Sequence, residues 1–233
     1  MFRTASRTWN PPNRFNPVEI DWEEPPPPAL QQVSVDDSQG ILNRNTSPEL
    51  AFNWSLNPYR GCSHACAYCY ARQYHETLGL GAGSDFERKL LITPRAAALR
   101  ERALRRPGWK GELIAMSGAT DCYQPLERRH RLTRACLEVC ARYRQPVGII
   151  TRSPLITRDL DLLGALHAHG AAQVTLSLPI LDPELSQRLE PGAPPPVTRL
   201  RAVPALAAAG LPVGISLAPV IPGLTEPQVP AIL

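Results

Sequence analysis

Long apolar runs are missing from this sequence, which has 233 residues, 43% of them hydrophobic. No run approaches the roughly 18 apolar residues that a membrane helix needs, so we expect no membrane span. The first residues also lack the charged-then-apolar pattern of a secretory signal. These absences predict a cytoplasmic protein, in which clustered cysteines stay reduced and indicate metal binding rather than disulfides.

A strong charge of one sign is missing too, because the sequence has 25 basic and 21 acidic residues, which leaves a net charge of +4. Basic residues crowd positions 100–110 and 127–134. Two interpretations stay open: these are the solvated faces of two helices, or they form a surface that attracts phosphates. No interleaved aromatics and no recognition-helix pattern support sequence-specific binding of nucleic acid.

Residues 1–50 contain little that would form an amphipathic element. They are rich in proline, asparagine, serine and acidic residues, and they include the tract Pro25–Pro28. This composition predicts an extended or disordered Pro-rich N-terminal arm. We therefore expect the folded domain to cover residues 51–233.

From residue 51 the sequence alternates between short apolar segments and amphipathic ones. Strands are predicted at 52–59, 111–118, 146–151, 172–178 and 211–221, and helices at 85–105, 125–144, 158–170 and 197–209. This order implies βα units with parallel pairing, and so an α/β fold that forms a partial TIM-like (β/α) barrel. The sequence ends at "TEPQVPAIL", where a fifth helix should begin, so the predicted barrel is truncated there.

Cysteine is scarce but concentrated, since three of the six cysteines lie within eight positions, at Cys62, Cys66 and Cys69. They follow the first predicted strand, at the edge where parallel α/β folds carry their chemistry. Thiolates bind soft or borderline metals. Structural zinc prefers four protein ligands, and His75 or His64 would complete such a site. A [4Fe–4S] cluster normally uses four cysteines, so three would leave one iron open to a substrate or cofactor.

The loop "CSHACAYC" resembles the C-x3-C-x-aromatic-C loop of the radical S-adenosylmethionine (SAM) enzymes. The wider stretch "NPYRGCSHACAYCYAR", together with "TDCYQP", "ITRSPLITRDLDLL", "LDPEL" and "PVIPGLTE", is similar to the spore photoproduct lyase-related branch of that superfamily. The resemblance implies that Cys62, Cys66 and Cys69 bind three irons of a [4Fe–4S] cluster and that SAM chelates the fourth. Reductive cleavage of SAM would then release a 5′-deoxyadenosyl radical that abstracts hydrogen from a substrate. A reductant such as flavodoxin or ferredoxin would supply the electron.

The same resemblance assigns residues near the cysteine loop to SAM. Tyr68 matches an aromatic position beside the adenine, although a loop aromatic that packs on the barrel would look the same. Gly118, Thr120 and Asp121 follow the second strand, where the superfamily often has the G-G-E sequence that contacts the SAM amino group. Asp121 has a second interpretation, as the N-cap of the next helix.

Three later residues are assigned in the same way. Ser177 ends the fourth strand, where the family commonly places a polar contact to the ribose. Ile221 and Gly223, in "PVIPGLTE", match the G-x-I-x-G-x-x-E motif, in which the isoleucine packs on the adenine and the glycine allows a turn. Pro219 replaces the first glycine of that motif.

The remaining candidates are a thiol and three arginines. Spore photoproduct lyases use a cysteine as hydrogen donor, and Cys122 is the candidate here; otherwise it is an ordinary residue at a helix entry. Arg60 and Arg72 flank the cysteine loop and are either surface arginines or cations that stabilise the cluster or the SAM carboxylate. Arg152, after the third strand, is another candidate that faces the pocket. The resemblance favours lyase-like chemistry on nucleic acid. The competing hypothesis is a zinc-stabilised Cys3His module that binds nucleic acid without catalysis.

Overall fold

The computed structural model describes residues 10–11, 13–15 and 30–233. The strands in this part are β1 (Gln32–Val35), β2 (Leu42–Arg44), β3 (Trp54–Leu56), β4 (Tyr59–Arg60), β5 (Lys89–Ile92), β6 (Ile114–Met116), β7 (Val147–Thr151), β8 (Ala172–Ser177) and β9 (Val213–Ser216). The helices are α1 (Gln73–Glu76), α2 (Ser84–Arg88), α3 (Ala96–Leu104), α4 (Pro125–His130), α5 (Leu132–Tyr143), α6 (Leu160–His167), α7 (Pro183–Leu189), α8 (Pro196–Leu200), α9 (Ala202–Ala208) and α10 (Val229–Ile232). Short 3-10 helices cover Tyr70–Arg72, Pro154–Asp159 and Glu226–Gln228.

The larger of two sheets has six strands in the order β2-β3-β6-β7-β8-β9. Strands β3, β6, β7, β8 and β9 run parallel, and β2 pairs antiparallel with β3 at one edge. The predicted α/β fold with a mostly parallel sheet is confirmed. Because the five strands are parallel, their carboxyl ends share one edge, and the loops that follow them meet there.

The main hydrophobic core lies between this sheet and its helices. Strand β6 is buried at all three positions, and α5 turns Cys136, Leu137 and Cys140 inward. A fully buried aliphatic side chain contributes about 1.5–3 kcal/mol relative to an exposed one. This core therefore holds the parallel strands, and hence the edge that carries the loops, in fixed positions.

A smaller sheet stands beside the first, with the order β1-β5-β4. Strand β1 pairs parallel with β5, and β4 pairs antiparallel with it. Cys62, Ala71 and Phe86 form a small separate core here, with Cys69 packed against it. The segment that carries the clustered cysteines therefore has a small core of its own.

Several predicted elements are wrong in detail. The helix predicted over 85–105 is instead α2, strand β5 and α3, because the apolar run that ends at Ile92 pairs with β1 and β4. The helix over 125–144 divides into α4 and α5 at Arg131, whose φ of 53° is left-handed. The helix over 197–209 divides at Arg201, between α8 and α9.

Helix α7 follows β8 where no helix was predicted. The Asp182 side chain caps it by accepting a 2.8 Å hydrogen bond from the Leu185 amide, and Pro183 occupies the first turn. The stretch "LDPEL" thus has a local structural role as a helix start. The end of this helix proves important for the site described below.

The predicted Pro-rich arm lies partly outside the described residues, Pro25–Pro28 included. Within the described part of residues 1–50, β1 pairs with β5 and β2 with β3. The domain boundary at residue 50 and the truncation after the fifth strand stay predictions. In the described part of the chain, no helix has the length and apolar character needed to cross a bilayer.

Candidate active site at the carboxyl edge of the sheet

The cysteine loop, residues 61–69, begins directly after β4. Gly61 has a φ of 72°, and a Cβ there would lie 2.8 Å from the Phe86 carbonyl oxygen. This close approach lets the Cys62 amide donate a 2.8 Å hydrogen bond to the same carbonyl. Only glycine suits both the left-handed backbone and the short contact, so Gly61 positions the first cysteine.

Buried Gln124, at the start of α4, holds the loop from the sheet side. Its Nε2 donates to the Gly61 carbonyl at 3.0 Å, and its Oε1 accepts from the Ser63 amide at 3.2 Å. Gln124 is the N-cap residue of α4, so the interpretation of Asp121 as that N-cap is wrong. Asp121 instead accepts a hydrogen bond from the Tyr123 amide at 2.8 Å, a local turn that precedes the helix.

The segment at the end of α7, residues 189–192, holds the opposite side of the loop through its backbone. The Leu189 carbonyl accepts from the Ala67 amide at 2.8 Å, and the Gly192 amide donates to the His64 carbonyl at 3.0 Å. A Cβ on Gly192 would lie 2.0 Å from the Ser63 carbonyl oxygen. The two segments are therefore in backbone contact, which a side chain at Gly192 would prevent.

Arg72 holds the backbone of the cysteine loop through its guanidinium group. Its Nε and Nη2 donate to the Cys66 carbonyl at 3.0 and 2.8 Å, and Nη2 also pairs with Glu87 at 2.6 Å. Arg60 is paired with Asp36 at 2.8 Å. Arg72 therefore supports the backbone of the cysteine loop, and Arg60, the last residue of β4, pairs with the residue that follows β1.

Two of the three clustered thiols are buried, and Cys69 is half-buried. Burial raises the pKa of Cys62, and the nearby Asp121 carboxylate raises it further. Burial also raises the pKa of Cys66 to about 12, although Arg152 acts in the opposite direction. Both thiols are thus protonated at neutral pH in the metal-free protein, and a metal must displace these protons.

A buried network of charges lies against Cys66. Arg152, which follows β7, directs Nη1 to the Cys66 Sγ at 2.9 Å, to Glu190 Oε1 at 2.6 Å and to the Tyr68 hydroxyl at 3.1 Å. The Tyr68 hydroxyl also donates to Glu190. Burial raises the pKa of Tyr68, as does the Glu190 carboxylate, so the hydroxyl stays a donor. Arg152 thus lies against the cysteine loop at the carboxyl end of its strand.

Asp121 joins the ends of β6 and β7. Its carboxylate accepts from the Thr151 hydroxyl at 2.7 Å and from the Arg152 amide at 2.9 Å, and His64 Nδ1 lies 3.4 Å away. Burial by itself would raise the pKa of Asp121, but His64 and these donors outweigh it and lower the pKa to about 2. Both carboxylate oxygens therefore already have partners within the protein.

The other residues predicted to contact SAM after β6 and β8 lie at the same edge. The Gly118 carbonyl accepts from the Tyr70 hydroxyl at 2.5 Å. Thr120 is buried and donates to the Tyr59 carbonyl at 3.1 Å. Ser177 Oγ lies 3.5 Å from Arg152 Nη2. The fold thus brings Gly118 to Tyr70, directly after the cysteine loop, and Ser177 close to Arg152, whereas Thr120 makes a structural bond.

The motif after β9 forms a local turn. The Ile221 carbonyl accepts from the amides of Leu224, Thr225 and Glu226 at 3.1, 2.9 and 3.2 Å. Gly223 has a φ of 69° and donates its amide to Glu226 Oε2 at 3.3 Å. Gly223 therefore allows a turn, as predicted from the sequence, and the adenine contact of Ile221 stays a prediction.

Cys122 is fully buried within the main core, as are Cys136 and Cys140. Burial raises the pKa of the Cys122 thiol well above its usual value, and Asp121 and Glu127 raise it further. A hydrogen donor must reach its substrate, and this thiol has no exposed surface. The donor role of Cys122 stays a prediction, and its burial favours a packing role.

In the described part of the chain, no three His, Cys, Asp or Glu side chains are grouped so that they would hold a single metal ion. His75, one proposed fourth ligand, has its Nε2 bound to the Lys89 carbonyl at 2.9 Å. His64 lies beside Asp121. A structural zinc site needs its ligands to converge on one ion, so the zinc alternative is not favoured.

A comparison with family models shows the superfamily of this chain. The family model of the radical SAM superfamily matches residues 56–233. The chain belongs to the radical SAM superfamily. The same superfamily was identified above from the cysteine loop, and that identification is confirmed.

Relatives of this radical SAM protein include an uncharacterized protein of Mycobacterium tuberculosis (strain ATCC 25618 / H37Rv). It is 40% identical over 177 residues, which are 76% of this chain and 52% of that protein. An uncharacterized protein of Acidianus two-tailed virus is 33% identical over 188 residues, 78% of this chain and 60% of that protein. The chain thus spans about half to three fifths of the length of these relatives.

Solved structures of spore photoproduct lyase share the fold. A complex of that enzyme with dinucleoside spore photoproduct has a TM-score of 0.59 and 18% identity, and it covers 82% of this chain and 51% of that chain. A mutant with bound AdoMet and dinucleoside spore photoproduct has a TM-score of 0.58 and 18% identity, with coverage of 80% and 50%. At this identity the likeness is one of fold.

The superfamily implies a [4Fe–4S] cluster and SAM, and the cysteine loop fits that cluster. It offers three thiols on one short loop, and each thiol of such a cluster binds a different iron, so the thiols need not converge on one point. A guanidinium donates to one of the sulfurs, and such hydrogen bonds are typical of cluster ligands. The residues present therefore suit a cluster better than a single ion.

Sequence reasoning missed three residues that hold this loop from a distance, namely Gln124, Glu190 and Gly192. Gln124 lies in "TDCYQP", but that stretch does not show that it bonds to the loop, and Glu190 and Gly192 lie outside the motifs identified from the sequence. Arg152 was a candidate because it follows a strand, but its contact with Cys66 spans 86 positions of sequence. Such contacts depend on which loops the strand order brings to one edge.

Proposed function

We propose that this protein is a radical SAM enzyme that binds a [4Fe–4S] cluster through Cys62, Cys66 and Cys69 and cleaves SAM reductively. The observation that carries the proposal is the cysteine loop at the carboxyl edge of a parallel sheet, in a chain of the radical SAM superfamily. When bound, the cluster supplies the electron that splits SAM into methionine and a 5′-deoxyadenosyl radical, which takes hydrogen from the substrate.

The chain's own residues prepare the site for an anionic cluster. Cys62 and Cys66 give up their protons on loading, because thiolates are the ligands. Arg152 places a positive charge at the Cys66 sulfur. Gln124 and the segment 189–192 keep the loop backbone in position. Free thiols at all six cysteines suit the reducing cytoplasmic location that we propose.

SAM is expected at the same edge, beside the loop. Tyr68, Gly118, Ser177, Ile221 and Gly223 are its proposed contacts, and Thr120 and Asp121 act chiefly through structural bonds that shape the edge. Among these proposed contacts, the Gly118 carbonyl bonds to Tyr70, directly after the loop, and the Ser177 hydroxyl lies 3.5 Å from Arg152 Nη2. A carbonyl accepts hydrogen bonds from an ammonium group, and a hydroxyl bonds readily to a ribose.

The reaction proposed is lyase-like chemistry on nucleic acid, with an external reductant such as flavodoxin or ferredoxin. Its support is the fold shared with spore photoproduct lyase, whose solved complex contains a dinucleoside spore photoproduct. Fold alone does not determine a substrate, so this part has its own test. Irradiated DNA should increase the rate of 5′-deoxyadenosine release over that with SAM alone, and undamaged DNA should not.

The central experiment is anaerobic purification and cluster reconstitution. We expect brown protein with about four irons per chain and release of 5′-deoxyadenosine with SAM and dithionite. Cys62→Ala, Cys66→Ala and Cys69→Ala should each lose both properties. Cys136→Ala is the matched control, since it removes a buried thiol of the main core and should keep iron and colour. Colourless protein with one zinc per chain would refute the proposal.

A further inference from the structure

The contact between Arg152 and Cys66 is fixed by a carboxylate rather than by chance proximity. Arg152 Nη1 lies 2.9 Å from the Cys66 Sγ and 2.6 Å from Glu190 Oε1. The Arg152 side chain is 16% exposed, and that of Glu190 is fully buried. A guanidinium in such surroundings stays where its partner carboxylate holds it, because an unpaired buried charge is strongly unfavourable.

Glu190 in turn is held on both of its oxygens. Oε1 accepts from Arg152 and Tyr68, and Oε2 accepts from Arg199 Nη2 and from Ser186 Oγ at 3.2 Å. Arg199 is nearly fully buried and also donates to the Pro194 carbonyl at 2.7 Å. The carboxylate therefore cannot turn away from Arg152 without breaking several buried hydrogen bonds.

Arg152, Glu190 and Arg199 together carry a net positive charge beside the Cys66 sulfur, because two guanidinium groups share one carboxylate. A cation and a hydrogen bond at a ligand sulfur stabilise the reduced, more negative form of an iron–sulfur cluster and so raise its reduction potential. Tyr68 and Ser186 add neutral donors to the carboxylate but no charge. The arrangement is thus built to present Arg152 to the sulfur.

We infer that Glu190 is a positioning residue that holds Arg152 as a hydrogen-bond donor to the Cys66 sulfur, and that this donor raises the reduction potential of the cluster. The inference rests on the proposed function, in which Cys66 is a cluster ligand. Arg152 and Glu190, which would set the potential, lie outside the cysteine motif, and the local sequence does not reveal their contact with Cys66.

The first test is the midpoint potential of the reconstituted cluster without SAM, followed by electron paramagnetic resonance during a redox titration. Arg152→Gln should keep the iron content and shift the midpoint potential to a more negative value. Arg158→Gln is the matched control, because Arg158 also binds a fully buried carboxylate, Glu127, at 2.6 Å. It should cost stability and leave the potential unchanged.

Glu190→Ala distinguishes positioning from a direct effect of the carboxylate charge. Loss of a negative charge near the cluster would by itself raise the potential, whereas release of Arg152 from Cys66 lowers it. We expect a negative shift, and no further negative shift when Glu190→Ala is added to Arg152→Gln. A positive shift in the single variant would overturn the positioning role. If Glu190→Ala does not fold, Arg152→Gln alone still tests the tuning.

The two hypotheses fail in different ways. Wild-type protein that forms no cluster would remove the proposed function and this inference with it. A wild-type cluster whose potential equals that of Arg152→Gln would refute only the tuning by Arg152. Weaker SAM binding by Arg152→Gln at an unchanged potential would also refute it, since the arginine would then act on SAM instead of on the sulfur.

Discussion

Asp121 shows how much a single side chain contributes to the edge that carries the site. It lies after β6, yet it binds the Thr151 hydroxyl and the Arg152 amide at the end of β7. Arg152 is the residue that reaches Cys66. The carboxylate therefore fixes the backbone from which that arginine extends.

Asp121→Asn should destabilise the cluster-free protein. An amide nitrogen in place of Oδ2 would face the Arg152 amide, donor against donor, so the 2.9 Å hydrogen bond would be lost at a buried site. The expected loss is about 1–3 kcal/mol in the free energy of unfolding, measured by urea denaturation at pH 7. A variant as stable as wild type would contradict this account of the edge.

The same substitution should remove part of the acid sensitivity. The pKa of Asp121 is lowered to about 2, below an unfolded value of about 3.9. Its stabilising contribution is therefore present above pH ~4 and is lost as pH falls from about 4 to about 2. Stability curves of wild-type and Asp121→Asn cluster-free protein should converge over that range. Curves that stay parallel would show that Asp121 does not titrate there.

Cysteine accessibility offers another check at this scale. Cys69 is half-buried, whereas Cys122, Cys136 and Cys140 are fully buried. In cluster-free protein, iodoacetamide should label Cys69 first, and the three core thiols should stay protected until the protein unfolds. Peptide mass spectrometry would show the order. Rapid labelling of Cys122 would instead support access of that thiol to a substrate.

At the scale of elements, the end of α7 is the part that most directly shapes the cysteine loop. Residues 189–192 make two backbone hydrogen bonds with the loop, and Gly192 leaves no room for a side chain. This segment also carries Glu190, so one stretch of chain fixes both the loop backbone and the cation beside it. A shift of the segment would therefore disturb both at once.

Gly192→Ala should impair cluster loading. The added Cβ would lie 2.0 Å from the Ser63 carbonyl oxygen, so the loop or the segment must move, at a cost of about 1–3 kcal/mol. We expect a several-fold loss of iron per chain after reconstitution. Gly164→Ala is the control: Gly164 lies inside α6, its Cβ would contact nothing within 4 Å, and the variant should be as stable as wild type or slightly more stable. Full iron content in Gly192→Ala would contradict the importance of this contact.

At the scale of the whole molecule, the described residues contain two unequal cores. The main core joins the parallel sheet to its helices, whereas Cys62, Ala71 and Phe86 form a small one beside the cysteine loop. Such a small core buries little apolar surface and so contributes little stability by itself. A bound cluster would add ligand bonds that join the parts of this region.

Removal of the cluster should therefore destabilise the region around the cysteine loop more than the main core. Oxidation and chelation are expected to lower the melting temperature, because a ligand that binds only the folded state stabilises it. Hydrogen exchange should rise most in residues 59–92 and little in β6, β7 and β8, which the main core protects. Equal increases in both regions would show that the two cores unfold as one unit.

The outline of the fold was predictable because it depends on local patterns. Alternating apolar and amphipathic segments indicated the five parallel strands. The prediction failed between residues 85 and 105, where helix formers surround the run Leu90–Ile92 that pairs with β1 and β4. Strand pairing with distant residues overrode local propensity there.

The sequence by itself determined the class of this protein, because the spacing of Cys62, Cys66 and Cys69 after a strand is a local pattern that sequence records directly. It also indicated the five parallel strands of the larger sheet, since periodicity reports which faces are buried. Only the tertiary structure decided which groups surround the cysteines: Gln124, Arg152, Glu190 and Gly192 reach the loop from three later segments. The physical reason is that parallel strands gather their carboxyl ends at one edge, and buried charges and backbone groups then pair across long stretches of sequence.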